Sequence, residues 1–296
     1  MDVSIIIPTK NGADLFDECL SGVFSQDTSL QYEVIVIDSG SADETLEIAR
    51  KFPVVIETIK PDEFGHGRTR NLGGKMATGE YLVYLTQDAV PADSNWLDSL
   101  IENFADPKVA GAYSMWIPRR DCNPLEKRRI TEAFVPIKEV RSLEGVSEFE
   151  YKNNMKRFVH FSNVSSAIRK EVWEKIPFDD NAPFAEDQAW AADVLEAGNS
   201  IVYEPGSRVY HSHNDSLRVC FQRGYDGATF QARLKGSRFN PIQQVGVFLY
   251  LTLSDCRYLI KSGIGGLQMI KWFIYAMIQN SVRQTAVFMG AFSRHV

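Results

Sequence analysis

Asp38 and Asp88 each lie at or just beyond the end of an apolar, β-branched run, in "YEVIVIDSG" and "YLVYLTQDAVP". A carboxylate at the tip of a strand can accept hydrogen bonds from a bound hydroxyl or N–H. It can also hold a hard divalent cation, which commonly uses only one or two carboxylates beside phosphate oxygens and water. The plainer role of such an aspartate is to satisfy the turn after its strand. Glu186 and Asp187, in "FAEDQAWAADVLEAG", are acids of the kind that can take a hydroxyl proton, or that only complement the positive end of a helix. Arg70 in "GHGRTRN" can donate bidentately to phosphate or make a surface ion pair. His211 and His213 in "VYHSHND" alternate along a strand end, so both point to one side, and imidazole suits Mn2+ better than Mg2+.

Two other chemistries find no support. "GHGRTRNLGG" lacks the lysine and hydroxyl spacing of a phosphate-binding P-loop, so ATPase activity is unsupported. "DSGSADET" lacks the three spaced glycines of a dinucleotide site, which disfavours hydride transfer.

The elements that must position these residues alternate. "VSIIIPT" reads as a buried strand stopped at Pro8, because a short continuous β-branched run suits a sheet covered on both faces. Leu15, Cys19, Leu20, Val23 and Phe24 then recur at helical spacing. A second strand ends at Asp38, and Ser41 with Glu44 has capping-box spacing for a helix through Leu46, Ile48, Ala49 and Phe52. "VVIETI" is a third strand, Thr69 to Met76 a helix, and "YLVYLT" a fourth strand. Ser94 is a candidate cap for a helix from Trp96 to Phe104, and "VAGAYSM" is a further strand. Residues 119–160 are polar and weakly periodic, expected as helical or mobile segments over a cleft. Regular structure returns at "FSNVSSAIRKEVWEKI", then a helix from Glu186 to Glu196, a stop at Gly198 and a strand. The pattern predicts an α/β, mostly parallel, doubly wound sheet, whose ligands bind beyond the carboxyl ends of the strands.

With the motifs in this order, the chain resembles the family 2 inverting glycosyltransferases over roughly residues 3–215. "SIIIPTKNG", "VIVIDSGSADET", "TRNLGGKMATGEYLVYLTQDA" and "FAEDQAWAADVLEAG" carry the likeness. "TQDA" and "GHGRTRN" look like the bacterial rhamnosyltransferase branch. The resemblance implies a GT-A nucleotide-diphospho-sugar transferase fold with a C-terminal helical extension. It implies a nucleotide-sugar-binding half at 1–95, an acceptor-binding and catalytic half at 96–215, and a basic, apolar helical region at 216–296. Against the family's D-x-D, Thr86 replaces the first acid and Asp88 keeps the second, so Asp88 is the expected ligand of Mg2+ or Mn2+, helped by His213 or His211. By the same likeness Asp187 is the general base and Glu186 orients the acceptor. Asp38 is expected at the nucleoside, with Pro8, Thr9, Asn11, Arg70 and Gln87 completing the donor pocket. The expected donor is a nucleoside-diphosphate sugar, dTDP-L-rhamnose first, and the acceptor a saccharide or polyprenyl-linked hydroxyl. The other reading is a non-catalytic nucleotide-sugar-binding scaffold of a polysaccharide-assembly complex, which the acid lost at Thr86 favours and Asp187 opposes.

Composition bounds the rest. The 296 residues are 44% hydrophobic, enough for a substantial core. Cys19, Cys122, Cys220 and Cys256 are scattered, which indicates neither a zinc cage nor a disulfide framework. The first residues lack a signal peptide's basic and long apolar segments, so a cytoplasmic location is expected. The net charge of −6 is divided: after residue 215 ten Lys and Arg face two acids, and before it 22 face 36, giving +8 and −14. Two apolar stretches of the tail, Val245 to Ile260 and Leu267 to Phe292, alternate with Arg257, Lys261, Lys271, Arg283 and Arg294. They suit peripheral contact with an anionic membrane at the inner face of the plasma membrane, or homodimerisation through the helices. No nucleic-acid partner is expected.

Overall fold

In the computed structural model, which describes residues 1–182, 184–235 and 241–292, the β-branched runs join one nine-stranded sheet. Its strands are β1 Val3–Thr9, β2 Tyr32–Asp38, β3 Val55–Thr58, β4 Tyr81–Leu85, β5 Val90–Pro91, β6 Val109–Ile117, β7 Glu139–Arg141, β8 Ser165–Arg169 and β9 Ser200–Tyr210. The order is β3-β2-β1-β4-β8-β6-β9-β5, with β7 pairing β9. β1, β2, β3 and β4 pair in parallel, as do β6 and β9, whereas β8 runs against both neighbours. β5 and β7 are only two and three residues long, too short to leave a sequence period.

The central strands are apolar on both faces because both faces are covered: Ile5, Ile6 and Ile7 are wholly buried, each contributing roughly 2–3 kcal/mol of transfer free energy. Helix α1, Ala13–Phe24, buries Phe16, Cys19, Leu20 and Val23, a single stripe at i, i+3, i+4 and i+7. Its first N–H groups are satisfied from across the chain, by Thr45 Oγ1 on Gly12 (2.7 Å) and Asp43 Oδ2 on Ala13 (3.2 Å). The expected capping box does not form: α2, Thr45–Ala49, has no side-chain cap, and Ser41 Oγ instead donates to Asp38 Oδ1. Nor does Ser94 cap α4, Trp96–Ile101, where Asn95 holds the cap position and Gln26 Oε1 accepts from Leu97 N at 3.1 Å. Helix α3, His66–Met76, starts one turn earlier than its periodicity indicated.

After β1 the chain winds outward through β2 and β3, then returns to place β4 on the other side of β1. The tips of β1 and β4 therefore diverge at a topological switch point, where open α/β sheets bind their ligands. Beneath it a closed ring of buried hydroxyls ties β8, β6 and β9 to α4. Trp96 Nε1 donates to Ser165 Oγ (2.9 Å), Ser114 Oγ bridges Ser165 and Ser207 (2.7 and 2.8 Å), and Ser207 Oγ donates to Trp96 O (3.0 Å).

The sheet, with α6 Glu148–Phe158, α7 Lys170–Lys175 and α8 Glu186–Glu196, makes one unit, residues 1–117 and 134–211. The left-handed Gly198 (φ +86°) ends α8 as expected. The second unit comprises residues 118–133 and 212–296. It contains α5 Pro124–Ala133, α9 Leu217–Lys235, α10 Pro241–Lys261 and α11 Gly266–Phe292. Part of the unassigned 119–160 segment thus packs with the tail. Leu125, Leu259 and Ala276 form its small apolar core with Ile264, Trp272 and Tyr275. Arg294 lies outside the described residues.

Candidate functional site

A cavity of ≈ 300 Å³ opens where β1 and β4 part, lined by Pro8, Thr9, Lys10 and Ser39 on one side and by Thr86, Gln87 and Asp88 on the other. Pro61, Phe64, His66 and Arg70 complete it. Gln87 staples the two strand tips together: its Oε1 accepts from Thr9 Oγ1 and from Lys10 N (2.8 Å), and its Nε2 donates to Lys10 O (3.0 Å). Thr86 N donates to Val164 O (3.0 Å), while its buried Oγ1 has no partner. Asp88 faces the cavity with its side chain 23% exposed.

His211 follows β9, its N–H donating to Ile117 O (3.0 Å) and its ring packed edge-on to Trp116 (4.9 Å). This anchoring sets His211 Nδ1 3.5 Å from Asp88 Oδ1. An acid oxygen and an imidazole nitrogen this close form a donor set that fits Mn2+, and Mg2+ less well. His213 belongs to the second unit, so within the first unit the pair is Asp88 and His211.

Arg70 comes from α3 and is buried. Its Nη1 donates to His66 O (3.1 Å) and to Glu186 Oε1 (2.9 Å), an ion pair in which both side chains are 6% exposed. Its Nε is buried without a partner. The alternative of a surface ion pair for Arg70 is therefore corrected: the pair is interior and the arginine lines the cavity. Glu186, expected to orient an acceptor, is spent on Arg70 and on Asn163 Nδ2 (3.3 Å) and is itself buried.

Asp187, the next residue, is partly exposed. Its Oδ2 accepts from Asn163 N (3.1 Å) and its Oδ1 from Gln188 N (2.8 Å). Desolvation first, and the Glu186 carboxylate second, push its carboxyl group up to about 7, in the range where a group accepts a proton at neutral pH. Ala185, immediately before, has φ +58°, a left-handed geometry costly for any residue with a Cβ. That strain is held where the chain turns to present the two acids.

Two residues that the sequence did not single out hold this corner. Asn71 Oδ1 accepts from Trp173 Nε1 (2.9 Å) and Phe178 N (3.2 Å), and its Nδ2 donates to Phe178 O and Asp180 Oδ1, both at 2.7 Å. The loop ahead of α8 is thereby pinned to α3. Asn163 links Glu186 and Asp187 to the chain entering β8. The one signal for either was a polar amide set in an otherwise buried stretch.

Asp38 departs from expectation. It is wholly buried and accepts from Gly40 N (3.0 Å), Ser41 N and Ser41 Oγ, so its carboxylate serves the turn after β2, and Ser39 lines the cavity instead. Asn11 is also absent from the lining; it sits at φ +47° and its Oδ1 accepts from Ala42 N (2.9 Å). Pro8, Thr9, Arg70, Gln87 and Asp88 do converge on the cavity.

A family profile described as Glycosyl transferase family 2 matches residues 4–176. The chain is 34% identical to the O-antigen chain rhamnosyltransferase RfbN of Salmonella typhimurium, over 78% of this chain and 73% of that one. It is 33% identical to the O-antigen chain rhamnosyltransferase WbaN of Salmonella anatum, over 77% and 72%. Among solved structures it is similar to the mannosyltransferase PcManGT from Pyrobaculum calidifontis in complex with GDP-Man and Mn2+. That TM-score is 0.63, at 18% identity over 99% of this chain and 88% of the other. The TarS 1–349 fragment of S. aureus in complex with UDP-GlcNAc gives 0.57 at 16% identity, over 99% and 93%. These likenesses show the fold to be the GT-A arrangement.

Proposed function

Since the chain belongs to glycosyltransferase family 2, we propose that it moves a sugar from a nucleoside diphosphate to an acceptor hydroxyl with inversion at the anomeric carbon. One observation carries this reading: the cavity at the β1/β4 switch point is joined through Arg70 and Glu186 to a proton acceptor, Asp187. L-rhamnose from dTDP-L-rhamnose is the first donor to test, because the two Salmonella relatives are named rhamnosyltransferases. A saccharide or polyprenyl-linked hydroxyl is the proposed acceptor.

The diphosphate would sit beside Asp88 and Arg70. Two buried polar atoms of lining residues, Arg70 Nε and Thr86 Oγ1, have no protein partner; donation to phosphate oxygens would offset the cost of leaving them unpaired. Asp88 and His211 would hold Mn2+ or Mg2+, with His213 proposed as a further ligand from its sequence position, and the bound cation supplies neutralisation of the phosphate charge. Asp187 removes the acceptor proton as the acceptor oxygen bonds to the anomeric carbon. The bond from that carbon to the phosphate oxygen breaks, and its electron pair leaves with the nucleoside diphosphate. Glu186, held in place by its ion pair with Arg70, acts through Asp187, raising its basicity.

A panel of nucleotide sugars in thermal-shift assays, followed by product analysis with a polyprenyl-linked acceptor, tests the proposal. Tight binding of one donor and a product of inverted anomeric configuration are expected. Retained configuration would refute the single-base mechanism, and binding with no turnover on any acceptor would favour the scaffold reading.

A further inference from the structure

The second unit buries polar side chains beside its small apolar core. On α10 and α11 the polar side chains Asp255, Gln279 and Asn280 are at most 2% exposed. Asp255 is held inside by Arg128 Nε (2.7 Å, 2% exposed) and Asn280 Nδ2 (2.8 Å). The large apolar side chains face outward instead: Leu249 is 53% exposed, Leu253 56%, Ile260 68%, Leu267 85%, Ile270 55% and Ile274 51%. Leu249 and Leu253 are one turn apart with Ile260 two turns further on, and Leu267, Ile270 and Ile274 follow at successive turns, so each helix presents an apolar face. A groove of ≈ 220 Å³ between the helices is lined wholly by side chains such as Met269 and Phe273. Soluble chains rarely expose contiguous apolar surface of this extent without a partner.

Charge decides which partner fits. Asp255 is the one acid in the sequence of these two helices, and it is sealed inside. Arg257, Lys261 and Lys271 are exposed among the apolar residues. A second copy docking through the same stripe would bury these cations in an interface where neither helix offers an accessible acid to pair them, which is unfavourable. Anionic headgroups would neutralise them while the acyl region received the apolar side chains. Among the described residues no helix is long and apolar enough to cross a membrane, so the helices would lie on one.

We propose that the outer face of α10 and α11 docks in the interfacial layer of an anionic bilayer, its apolar stripes in the acyl boundary and Arg257, Lys261 and Lys271 among the headgroups. The inference does not depend on the transfer reaction, and its test needs neither nucleotide nor sugar. The full chain is floated with vesicles of phosphatidylcholine and phosphatidylglycerol, or of phosphatidylcholine alone, at low and high salt. Binding is expected to the anionic vesicles and to weaken with salt. Each of Lys261→Gln and Lys271→Gln should lower the partition coefficient about fivefold. Ile270→Glu with Ile274→Glu should abolish binding and leave circular dichroism unchanged, since both side chains are exposed. Anionic-vesicle binding that survives that double variant would overturn the proposal. So would failure to bind by a chain that light scattering shows to be a dimer, split by the same double variant.

Discussion

Asp187→Asn should make the protein inactive and, above neutral pH, more stable. In the folded chain burial and the Glu186 carboxylate raise the Asp187 carboxyl from an ordinary 3.8 to about 7. Between those values the native state binds a proton that the unfolded state has released, so this group's contribution to stability falls as pH rises and is fully unfavourable above about 7. At about 1.36 kcal/mol per unit the upper bound is roughly 4 kcal/mol. Asparagine removes that penalty but loses one carboxylate acceptor, so either Asn163 N or Gln188 N loses its partner, at about 1–2 kcal/mol. The net expectation at pH 8 is a variant more stable than the wild type by up to about 2 kcal/mol, a gain that shrinks and reverses toward pH 4. Chemical denaturation of both proteins across pH 4–8 measures it, because titrating groups remote from Asp187 cancel in the difference. Donor binding by thermal shift should be spared and transfer abolished. A difference flat with pH, or a variant less stable at pH 8 than at pH 5 relative to wild type, would refute the desolvated-base assignment.

Glu186→Gln breaks an ion pair with both partners inside and strands the Arg70 charge, so a loss of about 3–5 kcal/mol is expected; Arg70→Met added to it should recover part of that loss in a denaturation cycle. Asp88→Ala and His211→Ala should each weaken Mn2+ binding, read by the electron paramagnetic resonance of free Mn2+, while circular dichroism stays unchanged; chelation by EDTA should halt transfer, with Mn2+ restoring it better than Mg2+. Gly67→Ala would place a Cβ 2.3 Å from Asp179 O, forcing apart the α3 contact with the loop ahead of α8, and should cost about 1–3 kcal/mol, seen as a lowered melting temperature.

The strands of the first half were legible because their signal is local. "SIIIPT" and "YLVYLT" carry β-branched and aromatic apolar residues consecutively over a length too short for a buried helix, which suits a strand covered on both faces. Where the signal was ambiguous the tertiary context chose. Ser41 and Glu44 have the spacing of a capping box, yet Ser41 is bound to Asp38 and the first N–H groups of α1 take Asp43 and Thr45, leaving the box unformed. Residues 119–160 lacked a clear period because they are divided between units: α5 packs with the tail helices, and β7 is a three-residue strand on β9.

The sequence by itself determined the longer strands of the first unit and the helices between them, and that four motifs follow in a family's order; it also set Asp88, Arg70 and Gln87 in one expected donor pocket, and all three line one cavity. Periodicity and motif spacing are properties of neighbouring residues, so a linear reading reaches them. Only the folded chain decided how the acids are used. Arg70 and Glu186 are 116 positions apart and meet because α3 and α8 pack at one corner, whereas Asp38 is drawn into its own turn. The same holds for the tail, whose composition is apolar and basic on paper. Only the folded chain shows that Asp255 is buried against Arg128 and Asn280 beside Leu259 and Ala276, while the apolar side chains on the opposite faces are left exposed, because an interior carboxylate needs its partners beside it.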